Sequence, residues 1–410
     1  MKKFLKLFFL ICIVSLVLVG CGLKSADSVI NKLTKKQEGC NSYYVEGTME
    51  IINNEDTYTY DVNVSYKKGD YYKIELVNTL NNHEQVILRN DEGVYVVTPS
   101  LNKSFKFQSD WPYNNSQVYL LNSILEDLTE DEDRVFKAKD NGYYFQSSVN
   151  YPNNKSLVKQ NVYIDKNMKI TKVEVTNKDG EVQITMNFDK ITYNKDFADD
   201  YFELSKLINV SDSKKNNSSN SDSTTTNDNN TDNTTRDTDS TSDSTNNATD
   251  NSNTNTNTNN NANTNNSTTG SDNTTENQNS NNATNDNTNS SQTKQTATID
   301  DVIYPMYLPD NTTLANKEVI DTEDGQRLIL TFDGDNPFVL VEETISYSDE
   351  GLIIPVSGNM DFLTDVIGVI NDNSVSFDSN GIGYYIVSDK LESTELVNIA
   401  RSISVLPVSK

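Results

Sequence analysis

Histidine is almost missing from this 410-residue chain: His83 is the one copy. Metal cages built on imidazole, and Ser-His-Asp or Cys-His machinery, have a single residue to draw on, which removes most enzyme classes. Cations are scarce too. Lys and Arg number 34 against 60 Asp and Glu, a net charge of −26. Recognition of a nucleic-acid backbone needs clustered cations, so no nucleic-acid partner is expected. The same balance argues against adhesion to anionic lipid by charge alone. Apolar residues make up only 34% of the chain, below the ~45–50% of an ordinary globular protein. Part of the length therefore builds no core.

That deficit has an address. From Ser211 to Ala297 there is no Val, Ile, Leu, Met, Phe, Tyr or Trp, and Asn, Thr, Ser and Asp fill nearly every position. A stretch with nothing apolar to bury cannot offset its ordering entropy, so residues 211–297 are expected to be a disordered linker. Acidic residues there outnumber basic ones by eleven to four, which swells a flexible coil. Two parts remain with enough apolar content to fold, residues 22–208 and 299–410. The expected arrangement is one folded body with a second exploring the space beyond it on a tether.

The start of the chain carries an address of its own. Lys2, Lys3 and Lys6 precede an apolar run from Phe4 to Val19, which ends in Leu18-Val19-Gly20-Cys21. This resembles the lipobox of bacterial lipoproteins. The resemblance implies that residues 1–20 are a signal peptide, that Cys21 is acylated (with palmitate, for example), and that the chain is held on the extracytoplasmic face of the cell membrane. Cys12 would leave with the signal and Cys21 be modified, so Cys40 stands alone and no intramolecular disulfide is expected.

Between these landmarks the hydrophobic period changes. Ser25–Lys36 has helical spacing, with Ser25 or Asp27 to cap it and Ile30 and Leu33 on one face. Thr57–Tyr66 alternates without a break. Tyr58, Tyr60, Val62, Val64 and Tyr66 fall on one side, with Thr57, Thr59, Asp61, Asn63 and Ser65 on the other, the pattern of a strand with one dry and one wet face. Lys67-Lys68-Gly69-Asp70 turns the chain, and Tyr72, Ile74 and Leu76 continue the dry face. Similar strands recur to Phe188, interrupted by a helical pattern over Gln117–Leu128. The class is α+β, with a sheet covered on one face. The stripe Tyr58, Tyr60, Val62, Val64, Tyr66, Tyr72, Ile74 and Leu76 either lines an apolar groove for an acyl chain or peptide or fills an ordinary core.

The leading helix, the Gly47-Thr48 strand, the segment Val86–Pro99 and the pair Asn161–Asp165 with Ile170–Val175 resemble the LolA-like lipoprotein-carrier family. The tail Asp199–Leu204 and the segment Tyr151–Gln160 are similar to its branch in spore-forming Firmicutes, which includes sporulation lipoproteins and the clostridial germination lipoprotein GerS. The resemblance implies an open antiparallel half-barrel with helices on its concave face. It also implies a non-catalytic role in sporulation or germination, supporting a cell-wall amidase or another envelope protein. A lipid- or lipoprotein-binding module and an RseB-like envelope stress sensor are the alternatives. Exposed strand edges of an open barrel suit pairing by strand addition.

In the second part, strands are expected at Leu328–Phe332, Phe338–Glu342 and Gly381–Val387, followed by a helix over Ser393–Ile403. Tyr307–Asp310, Leu328–Gly334, Gly383–Val387 and Leu396–Ile403 resemble a small α+β extracytoplasmic domain of unknown function (the 4367 type). No nucleophile elbow, zinc-protease motif, P-loop or dinucleotide fingerprint occurs, so neither catalytic residues nor a cofactor is expected. His83, in Asn81-Asn82-His83-Glu84, reads as an exposed turn residue. The carboxylates Glu126, Asp127, Glu130, Asp131, Glu132 and Asp133 lack the glycine-bearing loop of a calcium site and read as a solvated acidic loop. No metal is expected, and no acid of raised pKa stands out.

The lipobox makes a direct prediction. Cells fed an alkyne-tagged fatty acid should label the parent chain and not its Cys21→Ala variant; equal labelling of the two would remove Cys21 as the anchor.

Overall fold

Ser25 starts the first helix by accepting a hydrogen bond from the Ser28 amide (3.2 Å), and α1 (Ala26–Glu38) then presents Val29, Ile30 and Leu33 to the interior. A computed structural model describes residues 25–53, 56–210, 298–299 and 302–403. Residues 1–20, Cys21 and the 211–297 stretch lie outside the described residues.

After α1 the chain runs as a meander. β1 (Ser42–Asn53), β2 (Asp56–Lys67), β3 (Tyr71–Asn78), β4 (Glu84–Asn90), β5 (Gly93–Thr98) and β6 (Lys103–Phe107) pair antiparallel in sequence order. In the three-residue loop Lys68–Asp70 between β2 and β3, Gly69 and Asp70 both take positive φ (99° and 66°), a conformation glycine supplies without strain. α2 (Leu121–Glu130) then crosses back. The second wing is β7 (Val135–Lys139), β8 (Gly142–Ser148), β9 (Leu157–Asp165), β10 (Ile170–Asn177) and β11 (Val182–Tyr193), with β11 returning beside β1. Gly142 has φ +154°, and a Cβ there would sit 2.0 Å from the Ile164 carbonyl oxygen, so only glycine lets β8 approach β9 at that point.

β7 pairs with β8 alone, so the sheet stays open, a half-barrel with α1 and α2 on its concave face. The outer face of β4 and β5 is buried as well. Phe202, Leu204 and Ile208, from the segment that follows β11, cover Val86, Leu88, Tyr95 and Val97. Burial on both faces explains why these two strands read as unbroken apolar runs instead of alternating.

The last hundred residues build a second, seven-stranded antiparallel sheet. It comprises β12 (Thr312–Asp321), β13 (Gln326–Gly334), β14 (Phe338–Thr344), β16 (Asn359–Phe362), β17 (Ile367–Ile370), β18 (Ser374–Ser379) and β19 (Ile382–Val387), ordered β12-β13-β14-β19-β18-β17-β16. Leu328, Leu330, Phe332, Leu340 and Ile386 point to one face, which α3 (Ser393–Arg401) covers with Leu396, Val397, Ile399 and Ala400. Glu392 holds the N-cap position of α3, without a side-chain hydrogen bond.

The second body does not stand free of the first. Residues 25–210 and 298–403 fall within one compact unit. β15 (Leu352–Val356) leaves the second sheet's course and pairs parallel with β6, becoming the twelfth strand of the half-barrel sheet. Met360, Ile367 and Val369 are buried in the half-barrel's own core, with Phe362 packed against it. Hydrogen bonds fix the seam. The Tyr60 hydroxyl donates to the Thr364 carbonyl (2.8 Å), and the Ile367 amide donates to Gln85 Oε1 (2.6 Å). Asn102, in the left-handed region at φ 51°, donates to the Ser348 carbonyl (2.7 Å) and accepts from the Asn209 amide (2.7 Å).

A chain cut within 211–297 should therefore stay in one piece. Brief trypsin treatment at Lys214, Lys215, Arg236 or Lys294 is expected to leave two fragments that co-elute in gel filtration and separate only in denaturant; separate elution under native conditions would contradict the seam.

Candidate functional site

The stripe that alternation placed on the dry face of β2 and β3 is brought together by the fold. Tyr58, Tyr60, Val62, Val64, Tyr72, Ile74 and Leu76 are buried, and Tyr66 is half-buried. Because β2 and β3 pair in register, with Val62 opposite Leu76, Val64 opposite Ile74 and Tyr66 opposite Tyr72, these side chains form one continuous apolar floor. Three things cover it. α1 contributes Val29, Ile30 and Leu33; α2 contributes Ile124, Leu125 and Leu128; and the β16–β17 hairpin contributes Met360, Phe362, Ile367 and Val369. The Phe362 ring meets Tyr60 edge-on at 6.3 Å and Tyr119 at 6.2 Å. The space left there, beside Met49, Ile51 and Ile87, is about 20 Å³, room for about one water molecule and no acyl chain. The concave face is core.

Among the described residues, an opening survives at the mouth. Between α1 and α2 lies a cleft of about 430 Å³, with Tyr66, Leu125 and Cys40 among the residues lining it and Glu38, Glu126, Glu130 and Lys68 at its borders. Below it the Tyr66 ring stacks on Tyr43 (4.8 Å) and leans on Tyr72 (5.0 Å), which meets Trp111 edge-on at 5.7 Å. Asn122 ties the phenols to the helices. It accepts from the Tyr43 hydroxyl and from Gln37, and donates to the Tyr72 hydroxyl. Burial holds the Tyr43 and Tyr66 phenols above their ordinary pKa, so both stay protonated donors. Cys40 is buried, donates its thiol to the Gln37 carbonyl (2.9 Å), and is pushed up in pKa by desolvation, the opposite of an activated nucleophile.

The acidic cluster does not stay together. Asp127 turns inward, accepting from Ser116 Oγ and Gln160 Nε2 (3.0 Å each), and burial pushes its carboxyl up to about 7. Asp131 instead receives the Ser148 and Asp133 amides. Asp127 is thus the raised acid that sequence inspection missed, and Glu342, likewise raised to about 7 by burial and accepting from the Ile303 amide, is another. Helical spacing could have flagged Asp127, since it sits between Ile124 and Leu128 on the buried side of α2. His83 is not an exposed turn residue. It is half-buried, its Nε2 is buried without a partner, and desolvation lowers its pKa against the opposing pull of Asp365 and Asp378. Among the described residues no group of His, Cys, Asp or Glu is placed to hold a metal.

Raised carboxyls have a stability signature. The Asp127 value moves from 3.8 to about 7 on folding. Over that interval the folded chain keeps a proton that the unfolded chain has released, so stability falls as pH rises through it. Asp127→Asn should flatten the decline in melting temperature between pH 5 and 8 and melt above the parent at pH 8; an unchanged pH profile would show that Asp127 does not titrate this way.

Comparisons with known proteins bear on identity. The chain is 29% identical over 407 residues to the sporulation protein YdcC of Bacillus subtilis (strain 168), covering 98% of both chains. Among solved structures it is similar to the CwlD amidase–GerS lipoprotein complex of Clostridioides difficile (18% identity, 44% of this chain and 99% of that one, TM-score 0.23). It is also similar to MucB in complex with periplasmic MucA (11% identity, 92% and 98%, TM-score 0.29). The model of the sporulation protein YdcC-like family matches residues 1–202, the stretch that holds the half-barrel, and the likeness to the Bacillus protein runs on through the rest.

Proposed function

We propose that this protein is a non-catalytic lipoprotein of sporulation or germination, anchored through Cys21 on the outer face of the cell membrane, that binds and supports a cell-wall-modifying enzyme. One observation carries the choice over a lipid carrier: the concave face is filled by the chain's own side chains, with about 20 Å³ left. A carrier needs a pocket of roughly 300 Å³ or more for its cargo. The cleft between α1 and α2 is large enough, yet Glu38, Glu126 and Glu130 at its borders oppose an anionic head group. Likeness to a sporulation protein over the whole length supports the setting. Support of an enzyme then means binding its active conformation more tightly than its inactive ones, since a ligand shifts an equilibrium only by differential affinity.

The test is affinity capture from sporulating cells with the tagged full chain. A wall hydrolase such as an amidase is expected in the eluate, and native mass spectrometry of the same material should show no bound lipid. Stoichiometric lipid without any wall enzyme would favour the carrier role instead.

A further inference from the structure

The outer face of the second sheet, the side away from α3, closes on the half-barrel around a second and larger opening of about 570 Å³. Its floor follows from the strand register. Val341, Tyr385 and Ser376 form one cross-strand row, and Glu343, Gly383 and Asp378 form the next. Gly383 has no side chain to fill the floor, and a Cβ there would press on Ile345 (3.2 Å). The far wall is β6, which supplies Lys103 and Phe105. The near wall is the loop after β14, carrying Tyr347. That loop is held at both ends: Ile345 donates its amide to the Gly381 carbonyl (2.8 Å), and the Ser348 carbonyl accepts from Asn102.

Two features of this cleft are unusual for surface that merely meets water. Tyr347 and Tyr385 both line it, 56% and 44% exposed. Its charges are cancelled in pairs: Lys103 Nζ lies 2.6 Å from Asp378, both largely buried, and Arg327 lies 2.7 Å from Glu343. A ligand for such a place has apolar faces to lie on tyrosine rings and polar edges to meet fixed donors and acceptors, and needs no net charge. We propose that this cleft binds an uncharged oligosaccharide, a run of pyranose rings of the N-acetylated kind, with Tyr347 and Tyr385 as the stacking platforms. It shares no lining residue with the opening between α1 and α2, and its occupancy requires no protein partner.

The full chain, in a detergent without a sugar head group, is titrated calorimetrically with the β-linked hexamer of N-acetylglucosamine. Saturable binding is expected, weakened roughly tenfold or more by Tyr385→Ala and by Tyr347→Ala, as truncation of an aromatic anchor does. Tyr304→Ala, an exposed tyrosine elsewhere, should bind as the parent does. Melting temperatures close to the parent's confirm that the variants fold. Three results overturn the proposal: no binding up to millimolar sugar, binding that both cleft variants retain, or an equal loss in Tyr304→Ala.

Discussion

The structure depends on one requirement: the apolar face of a strongly alternating sheet must be covered, and two helices do not cover all of it. Met360, Ile367 and Val369 complete the cover from beyond the 211–297 stretch. Joining parts of the chain separated by that many residues costs about 4 kcal/mol of closure entropy on logarithmic scaling. Each fully buried aliphatic side chain contributes about 1.5–3 kcal/mol, so three of them exceed the closure cost. Doubling the loop would add only about 0.6 kcal/mol. The length of the polar stretch is therefore almost free thermodynamically, while the hairpin that follows it is not. The same covering also decides the functional question, because side chains that complete the core also occupy the space a cargo would need.

Charge is handled differently inside and out. The chain carries a net −26, which keeps exposed surfaces mutually repulsive, yet the seam between the two sheets uses neutral hydrogen bonds and paired ions. Lys103 reaches Asp378, and Arg401 reaches Asp361 (3.7 Å) while donating to the Phe362 and Leu363 carbonyls. Arg401 belongs to α3 and Asp361 to the β16–β17 hairpin, so one guanidinium ties the helix of the second sheet to the plug in the first. A buried pair of this kind adds little net stability, but removing one partner leaves the other charge stranded, which costs about 3–5 kcal/mol. Such pairs penalise alternative packings more than they strengthen the native one.

What the sequence disclosed follows from the range of the interactions involved. β2 was legible residue by residue because its alternation is local, and so was its turn, where Gly69 and Asp70 answer a local demand for positive φ. α1 was legible from its cap and stripe, to within two residues at its end. In the second part, β13, β14, β19 and α3 were anticipated, while β12 and β15–β18 were not. β12 is exposed along almost its whole length and so has no alternation to read. β15–β18 are four to six residues each, and part of their burial comes from far away in sequence: β15 pairs with Lys103–Phe107, and Met360, Ile367 and Val369 enter the half-barrel core. Pairing across that distance leaves no periodic mark. The same holds for the candidate site: the stripe was visible, but whether it was groove or core depended on Met360 and Phe362, about three hundred residues away from it.

The free edges of the two sheets narrow how the chain can meet another protein. An unblocked edge invites strand addition, but each of the four is blunted. β15 carries Pro355, which has no amide to donate. β7 is five residues long with Lys137 and Lys139 along it, and β16 has only four residues. β12 is the long one, yet a register shift between Leu314 and Asn316 interrupts it, and Lys317 follows directly. Backbone pairing is thus disfavoured on every side, contrary to what an open barrel suggests at the level of topology. With the concave face filled and the edges blunted, recognition falls to side chains on the outer faces and in open clefts, where geometry comes from the register of neighbouring strands.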